Sequence, residues 1–310
     1  MAGERSHPSP QLARVIEHLR GLAAGPPGDL AANRRLVDRY GDVDPSVRVF
    51  DAEVRPLDVA GVRCEWLLAP GADADRRLLY IHGGGWTAGG LDSHRPLSAR
   101  LSGATGCAVL AVDYRLAPEH PFPAGLEDCI ASYRWLRENG PGGAAPARSA
   151  FVAGDSAGGN LTLALLLALK QRRLPLPNAA VPISPATDFL ASGDSWRTRA
   201  ARDPVLTMGP EGIRMLSAAY LQGATTPADP LASPLYGDFR GLPPLLFHVG
   251  DAEVLLDDST RAAEKASKAG VDVTLEIYPD MPHVWHAFAP FLPEATRALE
   301  QIGAFVRKHG

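Results

Sequence analysis

Residues 150–160 read AFVAGDSAGGN, and they carry more information about the fold than any other segment of the chain. Its first four residues form an apolar run that predicts a buried strand, and the residues from 157 to 172 predict a helix. Between the two, Ser156 has one glycine two residues before it and another two residues after it, the GxSxG pattern of a sharp turn from strand to helix. The pattern predicts that Ser156 is a nucleophile, although the motif alone also fits a glycine-rich turn without a chemical role.

Short apolar runs alternate with helical segments on both sides of this stretch. Further strands are predicted at 78–81, 108–112, 179–183, 245–249 and 273–278. Further helices are predicted at 92–102, 124–138, 209–220, 254–269 and 291–308. This alternation predicts an α/β fold with a mostly parallel central sheet that is flanked by helices on both faces. Active sites of such sheets lie beyond the carboxyl ends of the strands, so the residues that follow each apolar run are the candidates for chemistry.

The chain before residue 78 shows a different pattern. Residues 8–40 have helical periodicity that is broken at Pro26-Pro27-Gly28. Residues 47–57 and 62–68 predict two strands that are joined by a turn around Ala60-Gly61. Pro56 lies inside the first of these strands, and because proline cannot donate to the ladder we expect an edge position or a bulge there.

Composition excludes several classes of protein. The chain has 310 residues, which allow one large domain or two small ones. Its formal net charge of −4 argues against a nucleic-acid binder, which would need a basic face. Three cysteines without a CxxC pair argue against a disulfide scaffold and a cysteine zinc site. No apolar run approaches the roughly 18 residues of a membrane span and no signal-peptide pattern opens the chain, so the sequence predicts a cytoplasmic protein.

A glycine run follows the predicted strand at 78–81. It reads His82-Gly83-Gly84-Gly85, and its backbone N–H groups are not shielded by side chains. Such donors can stabilise an oxyanion, and an HGGG loop accompanies the serine turn in lipases and esterases. A phosphate-binding loop is the competing interpretation, but the Lys-Ser/Thr pair of a P-loop is missing. A flexible turn is the plain alternative, which the serine turn further along the chain disfavours.

A serine nucleophile needs a base. Where the serine lies in a GxSxG turn, the histidine that acts as the base comes later in the sequence. Four histidines do so: His248, His283, His286 and His309. His248 lies inside an apolar strand and His309 lies one residue from the C-terminus, so neither is favoured. His283 follows the strand at 273–278 directly and is the predicted base, with His286 as the fallback. A metal site at His283 and His286 lacks the further ligands that it would need.

The acid that orients the base is expected after the strand at 245–249, where residues 250–258 read GDAEVLLDD. Asp257 and Asp258 fall in the first turn of a predicted helix, where acidic side chains are favoured in any case. Asp251 and Glu253 are the two remaining candidates. The pattern of residues alone does not choose between them.

Three motifs together resemble one family. They are HGGG at 82–85, DYRLAPEHPFPA at 113–124 and GDSAGGN at 154–160. On these motifs the chain resembles the bacterial hormone-sensitive-lipase-like carboxylesterases of the α/β-hydrolase superfamily, from His82 to about Phe288. The resemblance implies the α/β-hydrolase fold with a helical cap over the active site. The implied cap consists of an N-terminal helical segment at 1–45 and an insertion at about 188–225 within a catalytic domain at 46–310.

The resemblance also implies roles for individual residues. The N–H groups of Gly84, Gly85 and Ala157 would hold the oxyanion. The acid motif of the family, Asp-Pro-Leu-x-Asp, matches EVLLD at 253–257, which puts Glu253 in the acid position, 30 residues before His283. The motif departs from the family pattern at its first two residues. A second departure follows the histidine, where His283-Val284-Trp285 replaces the common His-Gly-Phe.

We therefore predict a serine carboxylesterase for small-molecule esters of short to medium chain length, which requires no metal and no organic cofactor. Ser156 would attack the ester, His283 would transfer the proton and Glu253 would orient the imidazole. A lactonase or an amidase with the same residues is one alternative. A non-catalytic ligand-binding relative is another, and the presence of both Ser156 and His283 disfavours it. Family members often pair through the last strand, here 273–278, so a homodimer is one state that the resemblance allows.

Overall fold

A computed structural model describes residues 9–23, 29–207 and 209–310 of the chain. Its strands are β1 (Glu53–Val59), β2 (Val62–Leu68), β3 (Asp73–Ile81), β4 (Cys107–Val112), β5 (Asn139–Gly140), β6 (Gly143–Ala144), β7 (Ser149–Asp155), β8 (Ala179–Ile183), β9 (Leu245–Gly250) and β10 (Val273–Tyr278). Its α-helices are α1 (Pro10–Leu22), α2 (Leu30–Asp38), α3 (Leu91–Thr105), α4 (Ala124–Glu138), α5 (Ala157–Gln171), α6 (Ser195–Thr198), α7 (Pro210–Leu221), α8 (Leu256–Lys268) and α9 (Pro293–Lys308). Short 3-10 helices lie at Pro45–Val47, Pro234–Tyr236 and Trp285–Phe288.

Eight strands form one sheet in the order β1-β2-β4-β3-β7-β8-β9-β10. The pairs β1–β2 and β2–β4 are antiparallel, whereas the pairs from β4 to β10 are parallel. The prediction of a mostly parallel sheet is thus confirmed. Buried apolar side chains form two clusters, one with α4, α5 and α8 and the other with α1, α3 and α9. The sheet therefore has a helical layer on each face.

The predicted first strand, at 47–57, is placed too early. Residues 45–47 form a 3-10 turn instead, because Asp44 caps it by accepting from the Ser46 N–H at 3.0 Å. The strand begins at Glu53 and ends at Val59, where the predicted turn leads into β2. Pro56 lies on this strand at the edge of the sheet, as expected for a residue that lacks an N–H.

The N-terminal region contains α1 and α2, which agrees with its helical periodicity. The predicted break at Pro26-Pro27-Gly28 lies outside the described residues. So do residues 1–8 of the predicted cap segment and Met208 of the predicted insertion. Across the parts of the chain that the structure does describe, no helix combines the length and the apolar character that crossing a membrane requires.

The crossing of α5 over the end of β3 explains the glycine after the serine. A Cβ atom at Gly158 would lie 2.0 Å from the carbonyl oxygen of Ile81, far inside van der Waals contact. Only glycine fits this place without moving one backbone away from the other. Asn160 then fixes the helix from its other side by donating to the carbonyls of Ala186 and Ala232 at 2.7 and 2.8 Å. The first turn of α5 is held on both sides.

Candidate active site

Ser156 lies at the turn between β7 and α5, at the carboxyl end of the sheet. Its backbone has φ 55° and ψ −117°, a conformation that costs free energy for any residue with a Cβ. Hydrogen bonds hold the turn in this conformation, since the Ser156 N–H donates to Ile183 at 2.8 Å and the Ser156 carbonyl accepts from Asn160 at 2.9 Å. The strained turn keeps the serine hydroxyl clear of both elements.

His283 lies between Ser156 and Glu253. Its Nε2 is 2.9 Å from Ser156 Oγ, and its Nδ1 is 2.7 Å from Glu253 Oε2. A carboxylate only accepts, so Nδ1 carries the proton and donates to Glu253. Nε2 is then the acceptor for the Ser156 hydroxyl. The three side chains form the line of hydrogen bonds that a serine nucleophile and its base need.

Glu253 is completely buried and its second oxygen is also bound. Oε1 accepts from the Ser184 hydroxyl and from the Gly250 N–H, both at 2.7 Å. The next residue is fixed by the predicted insertion, because the Val254 carbonyl accepts from Ser195 Oγ at 2.6 Å and the Val254 N–H donates to Asp203 at 3.1 Å. The carboxylate therefore points at His283 with little freedom.

The other carboxylates of this loop face elsewhere. Asp251 accepts from the Asp280 N–H at 2.7 Å and lies 3.3 Å from the Arg202 guanidinium. Asp257 and Asp258 lie in the first turn of α8, as predicted, and bind backbone N–H groups of residues 187, 188 and 195. The structure thus brings Glu253, and not Asp251, to the histidine.

The fallback histidine does not reach the serine. His286 Nε2 lies 3.0 Å from His248 Nδ1, and both rings are fully buried. Burial lowers the pKa of His248 to about 3 and lowers that of His286 well below 6.5, so both rings are neutral. Among the residues that the structure describes, no three His, Cys, Asp or Glu side chains converge as a metal site would require.

Glu253 controls the titration of His283. Burial by itself lowers the pKa of the imidazole, because a charged ring is poorly solvated inside the protein. The hydrogen bond to Glu253 and its negative charge, together with the weaker effects of the Asp203 and Asp155 charges, outweigh burial and hold the pKa of His283 above the usual value of 6.5.

The glycine loop, residues 82–85, follows β3 and lies next to Ser156. Gly83 uses its N–H to bind Asp155 Oδ1 at 3.1 Å. In the described part of the chain, the N–H groups of Gly84, Gly85 and Ala157 meet no acceptor. Gly84 has φ +117°, and a Cβ there would lie 2.2 Å from the Ala88 carbonyl oxygen, so this turn requires glycine. These N–H groups are free to bind an anion.

Two cavities meet at Ser156. The smaller has a volume of about 90 Å³, and its lining includes Tyr40, His94, Leu97 and His283. The larger has a volume of about 310 Å³, and its lining includes Trp86, Trp196, Ile213 and Leu216. Leu36 of α2 and Leu206 of the predicted insertion contribute to both. Most of these walls are apolar, which suits a substrate with hydrocarbon groups.

Sequence reasoning missed two residues of the site. Asp155 lies within the serine motif, but the sequence assigned it no role of its own. Its buried carboxylate accepts from the Tyr80 hydroxyl and from the Gly83 N–H, and it lies 3.5 Å from His94 Nε2. Its position directly before the serine was the available signal. Tyr40 donates its hydroxyl to the carbonyl of His283, a contact across 243 residues for which the sequence carries no signal.

Known proteins resemble this chain over most of its length. A family model described as alpha/beta hydrolase fold matches residues 78–287. The acetyl-hydrolase of Streptomyces hygroscopicus is 46% identical over 280 residues, covering 87% of this chain and 91% of that protein. An esterase of Acinetobacter venetianus is 38% identical over 253 residues, covering 82% of this chain and 81% of that protein. The crystal structure of an esterase from the bacterial hormone-sensitive lipase family superposes with a TM-score of 0.89 and 46% identity, covering 98% of this chain and 99% of that chain.

The raised pKa of His283 predicts how the rate of covalent labelling at Ser156 depends on pH. Labelling by a fluorophosphonate needs a neutral imidazole, so its rate should fall as pH decreases through a pKa above 6.5. Glu253→Gln removes the charge that raises this pKa, so the fall should move to lower pH, and the plateau rate should drop roughly 10³-fold. Asp251→Asn is the matched control and should keep the parent profile. If the Asn variant shifts the profile and the Gln variant does not, Asp251 is the acid.

Proposed function

The chain belongs to the bacterial hormone-sensitive-lipase-like family of α/β hydrolases and is a carboxylic ester hydrolase, and on this premise we propose that Ser156, His283 and Glu253 are its catalytic triad. One observation carries the proposal: the hydrogen-bonded line from Glu253 through His283 to Ser156, at 2.7 and 2.9 Å. The premise sets aside the non-catalytic ligand-binding alternative. A lactonase or an amidase with the same residues remains the alternative prediction.

The reaction runs in two steps that use the same groups. Ser156 Oγ attacks the ester carbonyl while His283 Nε2 takes the hydroxyl proton, and Glu253 stabilises the imidazolium that forms. The tetrahedral intermediate collapses as Nε2 passes the proton to the leaving alcohol, which leaves an acyl group on Ser156. Water then attacks this acyl-enzyme with His283 as the base. The acid is released and the serine hydroxyl is restored.

The N–H groups of Gly84, Gly85 and Ala157 stabilise the negative oxygen of both intermediates. Two features support this role: they point to no acceptor in the described chain, and the neighbouring Gly83 N–H is already bound by Asp155. Donors that are fixed before the reaction need no reorganisation when charge develops on the oxygen. Loss of one donor of this kind costs roughly 10²–10³ in kcat.

We also propose that the predicted segment 1–45, of which the structure describes 9–23 and 29–45, and the described part of the insertion at about 188–225 form a cap over the catalytic domain at 46–310. The proposal is supported by the cavity walls, to which α2 contributes Asn33 and Leu36 and α7 contributes Ile213 and Leu216. The larger cavity lies at the lower end of the roughly 300–1,000 Å³ of ligand pockets. The substrates are therefore esters with short to medium acyl chains.

The nucleophile is tested by covalent labelling. A fluorophosphonate should add to Ser156, as located by peptide mass spectrometry, and Ser156→Ala should lose both the adduct and ester hydrolysis. Ser93→Ala is the control, because this hydroxyl lines the same cavity but is bound to His94 instead of His283. Turnover by Ser156→Ala within tenfold of the parent would show that another residue is the nucleophile.

The size of the larger cavity predicts chain-length selectivity. The kcat/KM value should be higher for p-nitrophenyl butyrate than for p-nitrophenyl palmitate. Leu216 packs on the glycine loop, since a Cβ at Gly85 would lie 3.0 Å from its Cδ2, so Leu216→Ala should shift the preference toward longer chains. Arg214→Ala changes an exposed side chain of the same helix and should not. A parent enzyme that prefers the palmitate ester would contradict the assignment.

We also propose a homodimer, which the free edge of the sheet supports. Within the described residues β10 pairs with β9 alone, and Ile277 on it is 44% exposed. Edge strands offer unpaired N–H and C=O groups to a second chain, so β10 would pair with its copy. Light scattering should give the mass of a dimer, and Ile277→Lys should give a monomer; a monomeric parent would refute this pairing.

The cytoplasmic location also stays a prediction.

A further inference from the structure

Tyr40 connects the N-terminal segment to the histidine loop, residues 279–288, which carries His283. It follows α2 closely, and its hydroxyl donates to the backbone carbonyl of His283. Its ring stacks on Phe288 with 5.3 Å between the ring centroids and an angle of 26° between the planes. Phe288 belongs to the 3-10 helix that begins two residues after His283. Both ends of the Tyr40 side chain therefore contact the same loop.

The histidine loop has a backbone that needs external support. Val284, the residue after His283, has φ 48°, and Asp280 has φ 61°. A β-branched residue in the left-handed region is strained and persists only where surrounding contacts hold it. The imidazole must also keep two hydrogen bonds at once, to Ser156 and to Glu253. A small rotation of this backbone would break that alignment.

Helix α2 is itself attached to Thr87, which closely follows the glycine loop. Asn33 Nδ2 donates to Thr87 Oγ1 at 3.1 Å, and Arg34 Nε donates to the Thr87 carbonyl at 2.9 Å. Arg34 is further fixed by Glu119, which accepts two hydrogen bonds from its guanidinium at 2.8 and 2.9 Å. No residue of α2 is fully buried, so these polar contacts position the helix. The N-terminal segment thus contacts Thr87, two residues after Gly85, as well as the histidine loop.

We propose that Tyr40 is a positioning residue for His283, whose hydroxyl fixes the backbone of the histidine loop so that the imidazole stays aligned with both partners. The inference rests on the triad of the proposed function. It assigns the N-terminal segment a part in proton transfer in addition to its part in the cavity wall. Burial, together with the charges of Asp203, Glu253 and Asp155, raises the pKa of the Tyr40 phenol well above 10, so the hydroxyl stays a donor at every working pH.

Tyr40→Phe tests this role because it removes the donor and keeps the ring. Tyr278→Phe is the matched control, since its hydroxyl donates to the Gln301 side chain and not to the loop backbone. The kcat/KM values are measured with p-nitrophenyl butyrate and ethyl butyrate, per active site titrated with a fluorophosphonate. Nitrophenolate leaves without a proton, whereas ethoxide needs the proton of His283.

Tyr40→Phe should lower kcat/KM about tenfold for the nitrophenyl ester and several-fold more for the ethyl ester, while Tyr278→Phe stays within twofold for both. Partial unfolding would lower the number of titrated active sites and leave the ratio of the two kcat/KM values unchanged. A change below twofold, or an equal loss for both esters, would overturn the inference. If the fluorophosphonate does not add to Ser156 in the parent enzyme, the proposed triad itself is wrong; labelling with unchanged kinetics refutes Tyr40 alone.

Discussion

The close passage of α5 over the end of β3 is the constraint on which the site depends. Because a hydrogen is all that fits at Gly158, the two backbones meet and bring the turn at Ser156 next to the glycine loop. Asp155 then joins the two by accepting from Tyr80 and from Gly83. Burial would raise the pKa of this carboxyl, but the His94 imidazole 3.5 Å away and the hydrogen bond from Tyr80 hold it below its usual value, so it stays ionised. Ser156 and the N–H groups proposed to bind the oxyanion are thereby fixed relative to each other by the fold itself.

Buried carboxylates attach the predicted insertion to this framework. Asp258 accepts from the backbone of Thr187 and Asp188 and from the Trp196 indole, at 2.7 to 2.9 Å. Burial and the nearby charge of Asp188 raise its pKa to about 7, although the three donors lower it, so these donors partly compensate an otherwise costly group. Asp203 makes a second attachment, because its carboxylate accepts a hydrogen bond from the N–H of Val254, the residue after Glu253. The wall of the larger cavity and the orientation of Glu253 are therefore connected.

Much of the fold could be predicted from the sequence, because its signals are local. The strands at 179–183 and 273–278 and the helix at 124–138 have the predicted bounds, since each is a continuous periodic run between turn residues. The choice between Asp251 and Glu253 could not be made from the pattern, because it depends on which way a tight loop turns its side chains. In the structure Asp251 turns to the Asp280 N–H, and Glu253 turns inward to Ser184 and His283. The contact of Tyr40 with His283 could not be predicted either, because tertiary packing alone brings these two residues together.

Helix α2 has a consequence for how this protein could diverge. It contributes side chains to both cavities, yet none of its residues is fully buried, and its attachments to Thr87 and Glu119 are polar. Substitutions there would remove little buried apolar surface, so they would cost little of the free energy of folding. Selection for a new ester could therefore act on α2 by small mutational steps, while the sheet and its core, which includes α1, keep their sequence. Helix α2, which lines both cavities, is therefore free to change faster than the elements that hold the proposed triad.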